Sequence, residues 1–172
     1  GKALRDRLTP APKESGRVGS RLPKYEIADG VLGARRYVAD LSEPGMLHAA
    51  LHLSAHPRAK VRSIDVSAAA KAPGVARVLT AQDVPGNRVV GLIVKDWPVL
   101  VAEGETTGYV GDVLAVVVAD TRDRARAAAK LVRVDYEVLE PVLDVFKALA
   151  PDAPKVGPKG NKLSVSVARK GD

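Results

Sequence analysis

Seven apolar residues run without interruption at 113–119, VLAVVVA, between Gly111–Asp112 and Asp120–Thr121. A run of that length predicts a strand with apolar cover on both faces. Asp120 or Thr121 then offers an N-cap to a helix over 122–131. On that helix Ala125, Ala128, Ala129 and Val132 fall on one side, and Arg122, Arg126 and Lys130 on the other. Asp120 and Arg124 stand at the favourable i,i+4 spacing. Residues 132–138 alternate apolar and polar, which predicts another strand. Pro141 ends it, and Asp144 offers a cap to a short helix reaching Leu149. Strand, helix and strand in this order usually make a right-handed parallel crossover, which is therefore expected over 113–138.

Upstream the same alternation continues. Strands are expected at 48–54, 61–66 and 75–79. Ser67 is placed to cap a short Ala-rich helix that stops before Pro73–Gly74. Thr80 and Asp83 have the spacing of a capping box, and Pro85–Gly86 breaks the turn that follows. The pattern predicts one α+β domain over 18–153, a mixed sheet with short helices. Residues 1–17, with Pro10 and Pro12, read as a linker or disordered arm. Residues 154–172 read as an extended exit segment, in which 163–167 alternates and is a candidate edge strand.

Composition changes this picture in three places. Aromatics make up only 3% of the chain, so Val, Leu, Ile and Ala must build the core. The longest apolar run is far too short to span a bilayer, and no signal-peptide pattern opens the chain, so no membrane partner is expected. Its start at Gly1 rather than Met suggests a processed or excised piece. Cysteine is absent, which removes disulfides, thiolate metal sites, Cys-ligated clusters and thiol nucleophiles, and fits a cytoplasmic location.

The net charge of +7 invites a nucleic-acid reading. Its location argues against one. Residues 1–17 hold five Lys/Arg against two acids, and 155–172 hold five against one; the 17 basic and 17 acidic residues between them cancel. The excess therefore lies in two ends without the stacking aromatics that single-strand binding uses. No nucleic-acid partner is expected. A free-standing binding module whose basic ends engage an acidic partner is the alternative to an enzyme fragment, and neutral 18–154 counts against it.

Few constellations suggest chemistry. His48, His52 and His56 recur every four residues. They lack the Glu of HExxH, and on a strand such neighbours stand about 13 Å apart, too far to share an ion. Surface or partly buried histidines are the better reading. No GxGxxG, GxxxxGK[ST] or GxSxG motif is present. Gly111 reads as a backbone requirement at the entrance to the 113–119 strand. Asp96, Glu103, Glu105 and Asp112 cluster in sequence, but a solvated loop explains them better than paired acid–base work. Trp97, the only Trp, fits no periodic pattern. It either anchors its loop or marks a contact outside the domain.

The order of several short blocks resembles a known family. Val18-Gly19, Pro23-Lys24, Val31-Leu32-Gly33-Ala34 and Tyr37-Val38-Ala39-Asp40 are similar to the opening of the molybdenum-binding large subunit of molybdenum hydroxylases. So are Pro44-Gly45-Met46-Leu47-His48-Ala49-Ala50, His56-Pro57-Arg58-Ala59-Lys60-Val61, Ser63-Ile64-Asp65 and Ala72-Pro73-Gly74-Val75. Val78-Leu79-Thr80-Ala81 with Asp83-Val84-Pro85-Gly86, Tyr109-Val110-Gly111-Asp112, and Val134-Asp135-Tyr136-Glu137 with Pro141-Val142 complete the series. The stretch 94–105 looks most like the branch called selenium-dependent xanthine dehydrogenases. Asp29-Gly30 departs from the charged pair usual in the family.

The resemblance implies the α/β hammerhead domain of a xanthine dehydrogenase or aldehyde oxidase-like enzyme. It implies that the whole enzyme hydroxylates purine or aldehyde-type substrates with water as the oxygen source. Molybdopterin, FAD and 2Fe-2S clusters are implied for that enzyme on other domains or subunits, the expected partners. The family's molybdopterin contacts and catalytic Glu belong to later domains, so no catalytic, cofactor or metal residue is carried onto this chain, which alone is expected to be inactive. In the family the stretch matching 90–97 lies near the substrate funnel, and a Leu after a Gly lines its wall. Gly91-Leu92 fits, which makes Leu92, Ile93 and Trp97 the candidate funnel edge. An ordinary strand over 89–94, packed on its own domain, is the competing reading.

Overall fold

The computed structural model of the chain describes residues 18, 24–157 and 159–171. The arm expected over 1–17 lies outside them. The chain divides into two compact units, Gly1–Pro44 and Gly45–Asp172. The first contains helix α1, Ile27–Val31, and a 3-10 turn, Val38–Asp40. The Tyr37 N–H donates to the Asp40 carboxylate at 3.0 Å and opens that turn.

Among the described residues of the second unit, seven strands are interspersed with three short helices and a 3-10 turn, Ala81–Asp83. Strands β1 (His48–Leu53), β2 (Ala59–Asp65) and β3 (Val75–Leu79) come first, with helix α2 (Ser67–Ala70) between β2 and β3. The two-residue strands β4 (Val89–Val90) and β5 (Trp97–Pro98) follow. Then come β6 (Val113–Ala119), helix α3 (Arg122–Ala129), β7 (Arg133–Val138) and helix α4 (Val145–Ala148). Small sheets with short helices are the α+β arrangement expected. The pairings are β1–β6–β3, β2–β7 and β4–β5, each antiparallel.

The parallel crossover expected over 113–138 does not form. β6 is the central strand of its sheet, and β1 and β3 occupy both of its edges. The chain leaving α3 finds no free edge beside β6, so β7 pairs with β2, with Ile64 opposite Val134. The candidate edge strand at 163–167 pairs with no strand among the described residues, and Leu163, Val165 and Val167 are exposed.

β6 divides the core by its alternation. Ala115 and Val117 turn toward α3 and pack with Ala69, Ala128, Ala129 and Val132. Leu114 turns the other way, onto Val61 and Val101. Ile64 and Val134 touch both clusters and join them. Apolar cover on both faces holds at Leu114 but thins along the strand, because Val116 and Val118 are only half-buried.

Caps follow the local chemistry. The Thr121 hydroxyl accepts the Arg124 N–H at 3.3 Å at the start of α3, and Asp120 pairs with Arg124. The Asp144 carboxylate accepts the Lys147 N–H at 2.8 Å. Asp83 accepts the Thr80 N–H at 2.8 Å, as the capping-box spacing requires. Ser67 is a correction: it is the first residue of α2, the N-cap position falls on Val66, and the Asp65 carboxylate before it accepts the Ser67 N–H at 2.9 Å. The Ser67 hydrogen bonds hold the Asp65 carboxyl below its ordinary range. Among the described residues no helix is long and apolar enough to cross a membrane.

Candidate functional site

The candidate funnel segment is the tip of a small hairpin. β4 and β5 form its base, with Val89 opposite Pro98 and Val90 opposite Trp97, and residues 91–96 make the turn. Gly91 is dictated by this turn. A Cβ there would stand 1.8 Å from the Val94 carbonyl oxygen, closer than any side chain tolerates. Leu92 is 100% exposed, Ile93 92% and Trp97 56%. The strand over 89–94 stops after Val90, so Leu92 and Ile93 project from the tip.

The base of the hairpin is held by polar contacts. Asn87 accepts the Val89 N–H at 3.1 Å, and the Val99 N–H donates to the Arg88 carbonyl at 2.9 Å. The Arg88 guanidinium donates to both oxygens of Glu105, at 2.9 and 2.5 Å, and to the Leu100 carbonyl at 2.7 Å. Glu105 also accepts the Ala102 N–H at 2.9 Å. The Arg88 hydrogen bond, helped by Ala102 and opposed by partial burial, holds the Glu105 carboxyl below its ordinary value. Behind these contacts Leu100 and Val101 are buried, and the Val101 N–H donates to the Val113 carbonyl at 2.8 Å. An apolar tip is thus carried on a base tied to the core strand β6.

The other acids do separate structural work. Glu103 accepts the Ile64 N–H at 2.6 Å. Buried Asp112 accepts the Gly108 N–H at 2.6 Å and the Tyr109 N–H at 3.3 Å, closing the turn before β6. Gly111 has φ +104°, a conformation that L side chains rarely adopt, and its N–H donates to the Ser54 carbonyl at 2.9 Å. Asp96 is exposed at the hairpin turn. The four acids do not converge.

Nor do the histidines. His52 donates from Nδ1 to the Ala129 carbonyl at 2.8 Å, tying β1 to α3. His56 meets the Tyr136 ring edge-on, centroids 4.9 Å apart. Burial pushes the Tyr136 hydroxyl up. Among the described residues no three His, Cys, Asp or Glu side chains gather as a metal site. Sequence reasoning missed Thr107, whose buried hydroxyl accepts the Ala59 N–H at 2.9 Å. Nothing in the local pattern TTGYVGD marks it. It also missed the pairing of Arg88 with Glu105, 17 residues apart.

Residues 32–140 match the protein family described as aldehyde oxidase and xanthine dehydrogenase, a/b hammerhead domain. The chain is 39% identical over 142 residues to a probable xanthine dehydrogenase subunit of Bacillus subtilis, covering 83% of this chain and 19% of that protein. It is 34% identical over 155 residues to the nicotinate dehydrogenase large molybdopterin subunit of Eubacterium barkeri, covering 90% and 36%. Among solved structures, the aldehyde oxidoreductase from Desulfovibrio gigas superimposes with a TM-score of 0.78 at 36% identity, covering 89% of this chain and 18% of that one. The chain therefore spans a minor share of the length of the relatives it matches. With the hammerhead match over 32–140 and the shared fold, this chain belongs to the a/b hammerhead domain family of aldehyde oxidases and xanthine dehydrogenases.

Proposed function

We propose that this chain is the part of a larger molybdenum hydroxylase that shapes the approach to an active site carried by other domains. One observation carries this reading: Leu92 and Ile93 stand exposed at the tip of a hairpin whose base is tied by Arg88 and Glu105. Exposed apolar side chains on a braced loop suit a wall that is completed by something outside the domain. Trp97, half-exposed at the hairpin base, belongs to the same edge.

The whole enzyme, in this reading, hydroxylates a purine or aldehyde-type carbon with oxygen from water. Molybdopterin, 2Fe-2S clusters and FAD supply that chemistry from domains or subunits beyond these residues. The donor set agrees, since the chain has no cysteine to offer a cluster. What these residues contribute is access, orientation and exclusion of water at the funnel.

The test is Leu92→Ala and Ile93→Ala in the longer enzyme, assayed against several purines and aldehydes. Changed kcat/KM ratios between substrates, with molybdenum content unaltered, are the expected result. Unchanged kcat/KM for every substrate removes both residues from the funnel.

A further inference from the structure

A second surface of the domain carries a strand edge that pairs with no other strand among the described residues. Among the described residues β1 is an edge of the β1–β6–β3 sheet, bonded to β6 on one side only. Ser54, just past its end, turns both backbone groups toward the β6 side: its N–H donates to the Asp112 carbonyl at 2.8 Å and its carbonyl accepts the Gly111 N–H at 2.9 Å. Backbone direction alternates along a strand, so Ala49, Leu51 and Leu53 turn theirs toward the open edge. Leu51 and Leu53 are 51% and 46% exposed. Above this edge lies a groove of about 700 Å³ between β1 and α3, lined by 49–53 together with Arg122, Arg126, Ala129 and Lys130. Among the described residues no acidic side chain lines it.

The three cations recur every fourth residue, Arg122 and Arg126 on α3 and Lys130 at its C-cap, which keeps helical backbone angles. Their spacing along the helix axis is about 6 Å. Alternate residues of a strand are about 6.8 Å apart. A strand added beside β1 would therefore present every second side chain to one cation of the row. From this geometry we infer that the β1 edge and the Arg122–Arg126–Lys130 row together take up an extended acidic segment of polypeptide from outside these 172 residues, by strand addition.

Two other occupants fit worse. The chain's own ends are basic, with five Lys/Arg against two acids in 1–17 and five against one in 155–172. A second copy paired antiparallel through β1 would set two cation rows side by side on one sheet face. The occupant's acids complement the row, and its apolar residues, on the opposite face, extend the surface of Leu51 and Leu53. The row alone would also discourage unwanted pairing by guarding the edge. In that case no acidic strand would bind.

The experiment uses this chain with a labelled seven-residue peptide of alternating glutamate and valine. Comparison peptides replace glutamate by lysine or place proline at the centre. Fluorescence anisotropy should show the acidic peptide binding at least tenfold tighter than either. Arg126→Glu, and separately Lys130→Glu, should weaken it at least tenfold while the thermal melt stays that of wild type. Amide exchange should slow at Ala49, Leu51 and Leu53 when the peptide binds. Equal affinity for the lysine peptide, or binding without slowing at those amides, overturns the inference. So does an equally tight single-stranded oligonucleotide, which marks a general anion surface. So does a doubled mass of the chain without peptide, which assigns the edge to a second copy.

Discussion

The Arg88 guanidinium grips both oxygens of Glu105 across 17 residues of chain, while the same guanidinium holds the Leu100 carbonyl at 2.7 Å. This fork closes the loop that carries the hairpin tip. Both side chains keep some solvent contact, 22% for Arg88 and 40% for Glu105, so water screens much of their attraction.

The fork has a pH signature. The folded state holds the Glu105 carboxyl below its ordinary value of 4.5. A depressed carboxyl stabilises the fold above its unfolded pKa, and that contribution is lost as pH falls through the lower folded value. Glu105→Gln should cost about 1 kcal/mol at neutral pH, after allowance for exposure. The gap between variant and wild type should narrow below pH 4.5 and close in stronger acid. Urea melts of both proteins across this range check it. A gap that stays constant with pH would show that Glu105 acts through packing alone.

The strand β6 separates two substitutions that its sequence makes look alike. Val117 is fully buried against α3, whereas Val116 is half-buried on the opposite face, opposite Leu51 and Leu79 in the ladder. Val117→Asp places a carboxylate in dry core and should cost about 4 kcal/mol or more, enough to remove most of a domain's stability. Val116→Asp can turn toward water and should cost about 1–2 kcal/mol, lowering the melting temperature by about 5 °C. Equal losses in thermal melts would contradict the division of the core.

How far the sequence reaches is clear along this strand. The seven-residue apolar run gives β6 to the residue, because burial of a central strand leaves no room for polar alternation. Thr121 and the α3 face are equally local, and so is the exposure problem posed by three apolar residues at 92–94. Pairing is not local. Alternation at 133–138 says that a strand forms but not which edge receives it, and the occupation of both β6 edges by β1 and β3 decides the matter. The same limit hides Arg88 from Glu105 and Thr107 from Ala59, since each pair meets only after the sheets are assembled.

Gly91 tests the hairpin turn directly. An alanine Cβ would stand 1.8 Å from the Val94 oxygen, so Gly91→Ala must open the turn. The tip buries little, and the melting temperature should therefore move by no more than about 2 °C. Trp97, the only Trp, sits opposite Val90 at the hairpin base and reports the change. Its near-UV circular dichroism and its quenching by acrylamide should both shift. Spectra identical to wild type would show that the 91–94 turn is not closed in solution.

The last prediction concerns a single hydroxyl. Thr107 is fully buried, and its N–H donates to the Ala59 carbonyl at 2.9 Å while its Oγ1 accepts the Ala59 N–H at 2.9 Å. The hydroxyl proton faces the His56 carbonyl at 3.2 Å and the Ala59 carbonyl at 3.4 Å. One side chain thus satisfies the first residue of β2 and fastens the loop after Glu105 to it. Thr107→Val keeps the shape and removes the acceptor. The buried Ala59 N–H then has neither water nor protein to meet it, at a cost of about 1–3 kcal/mol. Thr107→Ser keeps the hydroxyl and loses one methyl, which costs about 1 kcal/mol in a packed interior. Comparing the two separates the hydrogen bond from the packing: the valine variant should be the less stable in urea melts, and only in it should the Ala59 amide exchange faster than in wild type. A serine variant as damaged as the valine one, with Ala59 equally protected in both, would assign the effect to the methyl group and leave the hydroxyl without a structural role.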